Sequence, residues 1–210
     1  MTADPSGLVC GFADATGRFL PLACTLNAAR VLDVTARMLG VDAAGLSDLA
    51  LKASSGADGL VLLPYLDGER TPNRPAANGV LRGLTTSNAT PENLARAAVE
   101  AVLCSLADAI DCLRPCGISP RRVVLTGGAA KSEAVRAIAP AVFGLPVVLP
   151  EAAEYVALGA ARQAAWALSG AAEPPSWPAR PSMTFAAAAA SGVREQYGGL
   201  RDDAAAWQVS

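Results

Sequence analysis

Residues 121–150, RRVVLTGGAAKSEAVRAIAPAVFGLPVVLP, constrain the fold of this chain more than any other stretch. Val123, Val124 and Leu125 make a short β-branched, apolar run that Gly127 and Gly128 stop. From 132 to 143 apolar residues recur at Ala134, Val135, Ile138, Ala141 and Val142, a helical spacing. Gly144 stands where a left-handed residue ends a helix, and 146–149 resumes β-rich sequence. Strand, glycine turn, helix and strand in that order predict a parallel pair joined by a right-handed crossover.

The chemistry of such a unit lies in its turn. Two glycines let backbone approach a ligand without Cβ obstruction, and a following helix offers amides and a partial positive charge, so phosphate is the natural guest. The sequence is neither GxGxxG nor a Walker A loop. Ala130 stands where the latter needs glycine before its lysine, so Lys131-Ser132 carries no P-loop meaning. By itself a glycine pair is more often a plain β–α turn than a ligand site.

Composition narrows the remaining possibilities. The 210 residues, 52% of them hydrophobic, suffice for one substantial domain or two small ones. A net charge of −2 without a Lys/Arg run gives no field for nucleic acid or an anionic membrane. There is no signal-like amino terminus, and no apolar run approaches the ~20 residues of a membrane helix, so a soluble, cytoplasmic chain is expected. Cys10, Cys24, Cys104, Cys112 and Cys116 are an odd set without CxxC spacing, read as free thiols. With no histidine there is neither the usual zinc site nor an imidazole-based triad, so no metal ligands are assigned and any general base must be a carboxylate.

Along the chain, runs at 8–12 and 18–22 around Asp14-Ala15-Thr16-Gly17 predict a hairpin. A helix is expected over 27–39, capped by Thr25 and closed by Gly40, with a weaker one over 43–52. A strand at 60–63 stops at Pro64, and a punctuated loop, YLDGERTP, runs from Tyr65 to Pro72. A strand over 79–84 leads into Thr85-Thr86-Ser87-Asn88. Thr90 caps and Pro91 opens the longest helix, 91–113. That helix has one narrow polar stripe, Asn93, Arg96, Glu100, Asp108 and Asp111, and so is expected to be buried. Its Arg96–Glu100 pair reads as a few tenths of a kcal/mol of helix support. After a two-carboxylate loop, 151–155, a small-residue helix is expected from 156 to about 169, with Gly159 touching a neighbouring backbone. Residues 171–181 form a proline-rich segment, and a closing helix includes Val193 to Tyr197.

Three stretches taken together resemble one family. GADGLVLLPYLDGERTPNRP (56–75), GLTTSNATPENLARAAVEAV (83–102) and VVLTGGAAKSEAVRAIAPAVFGLPVVLPEAAEYVALGAA (123–161) are similar, in order and spacing, to motifs in the carboxy-terminal half of FGGY sugar kinases, xylulokinases above all. The resemblance implies an α/β, actin-like (ribonuclease-H-like) ATPase domain, a mixed sheet flanked by helices, over 1–170, with its first strands missing. Residues 171–210 would then be a proline-rich segment and closing helix packed on the same domain.

The resemblance also implies ATP with Mg²⁺ as cofactor. Gly127, Gly128 and Ala129 would approach ribose and α-phosphate, Ser132 the adenine, and Gly83, Thr85 and Ser87 would line the nucleotide from the other wall. Glu69 and Arg70 fall near the domain junction without an assigned role. The family's aspartate base and most of its sugar pocket belong to an amino-terminal domain that this sequence lacks. No catalytic residue is therefore assigned, sugar binding is expected only with that domain, and an exposed interdomain face is expected to favour self-association. The runners-up are a non-catalytic actin-like interaction or regulatory module and an FGGY kinase for another polyol or sugar.

Overall fold

In the computed structural model, which describes residues 4–178 and 180–207, the 121–150 unit forms as its pattern predicts. Strand β5 (Val123–Val124) pairs in parallel with β6 (Val147–Pro150), Val123 opposite Val147 and Val124 opposite Val148, with α4 (Glu133–Phe143) as the crossover. Gly144, at φ 62°, ends α4 by giving its N–H to the Pro140 carbonyl. On the other edge of β6 lies β7 (Ser182–Phe185), antiparallel, which makes the sheet mixed. The proline-rich reading of that region gave no hint of β7, because a four-residue strand has too little alternation and its pairing comes from the open edge of β6.

The remaining strands form two small antiparallel pairs, β1 (Val9–Ala13) with β2 (Phe19–Ala23) and β3 (Val61–Leu63) with β4 (Val80–Arg82). In the first turn Asp14 accepts the Thr16 and Arg18 amides, a side chain imitating a backbone turn. Helix α1 (Ala29–Leu39) starts later than expected, and Thr25 does not cap it. Asn27 shows why. Its amide reaches the Gly68 carbonyl (2.6 Å) and Glu69 (3.0 Å), and its oxygen accepts the Leu66 N–H, so this residue ties the chain to the 65–72 loop instead of opening a helix. Helix α2 (Ala43–Lys52) is capped by Asp42, which accepts the Gly45 N–H.

The centre of the molecule is α3 (Pro91–Leu113), capped by Thr90. Its alanines, among them Ala95, Ala98 and Ala101, are buried and let α1, α2, α4, α6 (Ser191–Trp207) and β3 close around it. Its polar stripe is not a solvated face. Arg96 Nε donates to Glu100 at 2.6 Å with side chains 12% and 6% exposed, and Glu100 also accepts the Gly56 N–H. The pair is buried structure pinning a loop, so the surface value expected of it understates the cost of breaking it. Further along, Asp108 holds Arg194 (3.0 Å) and Arg201 (2.6 Å), and Asp111 holds Arg194 (2.7 Å), which fastens α6 to α3.

Helix α5 (Tyr155–Ser169) departs from expectation. None of its residues is buried, Val156 and Leu168 are about nine-tenths exposed, and a Cβ on Gly159 would meet nothing within 4 Å. Among the described residues, nothing makes the backbone contact expected at Gly159.

Candidate functional site

The parallel strands end on the same side of the sheet, and the loops leaving them bound a cleft of about 820 Å³. One wall is the segment after β5, Leu125 to Gly128 with Ala130 and Lys131, joined by Arg136. The other is the segment after β6, Leu149 to Tyr155, with Pro181 to Met183 beside β7 completing it. In open α/β sheets, the carboxyl ends of parallel strands are where ligands bind, because the chain diverges there into opposed loops.

Each glycine of the turn has its own task. Gly127 sits at φ 96°, ψ −176°, a conformation essentially confined to glycine, and turns the chain out of β5. Gly128 has an ordinary φ, and a Cβ built on it would meet nothing within 4 Å. Gly128 lines the cleft, and no described residue crowds the place a side chain would take. The following residues, Gly128–Lys131, form a 3₁₀ turn in which Ala130 N–H reaches the Gly127 carbonyl and Ser132 N–H the Ala129 carbonyl.

The sequence suggested that α4 aims unpaired amides at a ligand, and the structure corrects this. Ser132 Oγ accepts the Val135 N–H, and Ser47 Oγ, arriving from α2, accepts the Ala134 N–H at 2.9 Å. Two of the first amides of α4 are thus taken by hydroxyls. Anion binding then rests more on the turn ahead of α4 and on the cations alongside than on the helix amides.

Two cations and two carboxylates line the cleft. Lys131 is exposed, whereas Arg136 is half-buried and donates from Nε to the Ser132 carbonyl (3.3 Å) and from Nη2 to the Lys131 carbonyl (3.2 Å). Glu151 and Glu154 come from the β6–α5 loop, with Glu151 near Arg180 at 3.8 Å and its carbonyl accepting the Tyr155 hydroxyl. Leu125, Leu149, Pro150 and Met183 supply apolar surface. Positive and negative groups around an apolar slot suit a ligand with an anionic end, hydroxyls and a flat ring. Among the described residues, no three acidic or thiol side chains stand close enough to hold a metal ion.

Of the residues expected to hold nucleotide, Gly127 and Gly128 line the cleft, while Ala129 and Ser132 belong to the same turn but not to its lining. Gly83, Thr85 and Ser87 lie elsewhere. Gly83, at φ 84°, allows a backbone crossing: a Cβ there would stand 2.2 Å from the Gly59 carbonyl oxygen. Asn88 binds the Thr85 N–H and donates to the Gly83 and Asp58 carbonyls, and Thr85 and Ser87 share a hydroxyl contact at 3.0 Å. That loop is a knot tying β4 to the start of α3. Gly83, Thr85 and Ser87 are not among the residues lining this cleft, whose second wall is 149–155 with 181–183.

Glu69 and Arg70 now have a structural account. Glu69 is 1% exposed and accepts from Leu26 N–H (2.7 Å), Asn27 Nδ2 (3.0 Å) and Arg70 N–H (2.7 Å). It organises the entry to α1. Arg70 itself is exposed, with Nη2 3.6 Å from Cys10 Sγ. Nothing in the sequence pointed to Arg136 in the cleft beyond its position one turn after Ser132, or to Met183.

Comparison with known proteins decides the family. The model of the FGGY family of carbohydrate kinases, C-terminal domain, matches residues 13–168. The chain belongs to the FGGY family of carbohydrate kinases. It is 44% identical over 169 residues to a xylulose kinase of Streptomyces coelicolor, covering 80% of this chain and 33% of that protein, so it spans about a third of that relative's length. Its fold superposes on the xylulose kinase of Bifidobacterium adolescentis with a TM-score of 0.84 and 50% identity, over 93% of this chain and 39% of that one. A gluconokinase of Bacillus subtilis is 40% identical over 129 residues, 60% of this chain and 25% of that protein. The fold is therefore the actin-like domain of FGGY kinases. Among the described residues, no helix is long and apolar enough to cross a membrane.

Proposed function

We propose that this chain is the ATP-binding half of a sugar kinase that transfers the γ-phosphoryl group of ATP to D-xylulose, and that the nucleotide occupies the cleft at the ends of β5 and β6. The observation that carries the reading is Gly128, a residue with ordinary backbone and no neighbour for a side chain, lining an 820 Å³ cleft. The fold has no need of glycine there, whereas a closely approaching ligand does.

Phosphoryl transfer is achieved by positioning and charge stabilisation, so the work of this chain is to bind and orient. The turn brings backbone against ribose and α-phosphate, with Ala129 and Ser132 shaping it from behind. Lys131 offers a mobile point charge to the phosphates, and Glu154 an acceptor for ribose hydroxyls. Mg²⁺ in kinases sits largely on phosphate oxygens and water and neutralises their charge. The cleft offers no cage of its own for the ion, and no step is assigned to it. Gly83, Thr85 and Ser87 have no contact with nucleotide in this reading unless a second domain brings one to them.

The identity of the sugar follows the xylulose kinase relatives, and the similarity to gluconokinase makes gluconate the competing acceptor. Calorimetric titration with ATP·Mg²⁺ tests the nucleotide reading. Weak, saturable binding is expected for the chain, reduced at least about tenfold by Gly128→Leu while its thermal midpoint holds within a few degrees. Equal affinity in that variant would overturn the reading.

A further inference from the structure

We infer that Arg136 reads the nucleobase, its guanidinium held by the turn so that the flat face serves as a stacking platform in the cleft. This rests on the reading of the cleft as a nucleotide site and adds to it a contact that discriminates between bases. Arg136 lies one helical turn into α4 and lines the cleft, while Nε and Nη2 donate to the Ser132 and Lys131 carbonyls at 3.3 and 3.2 Å. Those two donors lie along one edge of the guanidinium. With that edge engaged by the turn, the side chain cannot swing freely as a surface arginine does. What it keeps for a ligand is mainly its plane and its delocalised, weakly hydrated charge, the combination that stacks on aromatic rings.

The division of labour with Lys131 follows from chemistry. Lys131 is exposed and carries a compact charge suited to phosphate, whereas Arg136 is half-buried in a cleft whose lining includes Leu125 and Leu149, apolar surface on which a base can shed water. A platform of this kind recognises area and polarisability instead of a hydrogen-bonding pattern. It favours purines over pyrimidines and distinguishes adenine from guanine only weakly.

The test is calorimetric titration of the full chain and of Arg136→Ala and Arg136→Lys with AMP, ADP, CMP and inorganic tripolyphosphate. For the unchanged chain, AMP is expected to bind severalfold more tightly than CMP. Both variants should lose about tenfold for AMP and ADP, should no longer prefer AMP over CMP, and should keep tripolyphosphate affinity within about twofold. Arg136→Lys retains charge and donors but not the plane, so full AMP affinity in that variant overturns the inference in favour of a purely electrostatic contact. An equal loss of tripolyphosphate affinity also overturns it, since phosphate contact or collapse of the turn would then explain the effect. If the unchanged chain binds ADP and Arg136→Ala binds it equally well, only this inference falls. If the unchanged chain binds none of the four ligands, the nucleotide reading falls too.

Discussion

At the scale of single residues, Gly127 and Gly128 are separable by experiment although they are adjacent and identical. Gly127→Ala forces a side chain into a glycine-only region and is expected to cost about 1–3 kcal/mol in denaturant unfolding. Gly128→Leu should leave stability within about 0.5 kcal/mol, as surface changes do, and affect only ligand binding. Glu69→Ala leaves the Leu26 and Arg70 amides without their acceptor and Asn27 with only the Gly68 carbonyl, so a loss of about 2–4 kcal/mol in urea unfolding is expected. The glycine pair was legible as a turn from its position after a β-branched run. That the two glycines serve different ends was not, because φ is a property of the folded backbone. Glu69 looked like any loop carboxylate, since all its partners are backbone groups or an asparagine some 40 positions away.

At the scale of elements, periodicity revealed α2, α3 and the 121–150 unit, because each carries its own cap or glycine stop. The limits of α1 and the existence of β7 depend on distant partners, the Glu69 loop and the edge of β6, which no local pattern encodes. The contact of α6 with the segment after β3 gives a pH prediction. Tyr65, after β3, and Tyr197, on α6, are both buried with hydroxyls that lack a hydrogen bond of good geometry. Burial pushes the Tyr65 phenol up to about 12, and Tyr197 is raised well above its ordinary value by burial and by Tyr65. Because the folded chain holds these protons more tightly, their contribution is complete below the unfolded value near 10 and is lost as pH rises through the folded values. Stability measured by thermal melting should therefore fall from about pH 10 upward. Tyr65→Phe removes one of the two raised phenols, so the alkaline loss should become shallower while its onset stays near pH 10, where the unfolded form of the remaining Tyr197 titrates. Stability independent of pH between 9 and 12 would contradict this. Burial also raises the Cys104 thiol, with Glu100 adding to the effect, so it should resist alkylation in the native state.

At the scale of the molecule, large apolar residues stand exposed on several elements. On the β1–β2 hairpin Phe12 and Leu20 stand opposite one another and Leu22 opposite Cys10, and the three side chains are 54%, 54% and 48% exposed. Helix α5 adds Val156 and Leu168. A chain spanning a third of its relative's length, with such surfaces open, is expected to self-associate at high concentration, read as a rising mass in light scattering. It is also expected to show no xylulose phosphorylation above background in a coupled assay, because a base beside the acceptor hydroxyl must converge on the same point as the nucleotide. The fold family was legible from three motifs in order. The position of the cleft's second wall was not, since it is formed by segments far apart in sequence, 149–155 and 181–183. Hydrogen exchange with and without ADP·Mg²⁺ locates the ligand directly. Slower exchange at 126–131 and 151–155, absent in Gly128→Leu, is the expected outcome, and unchanged exchange there, or protection confined to 83–88, would mean that the cleft is not the nucleotide site.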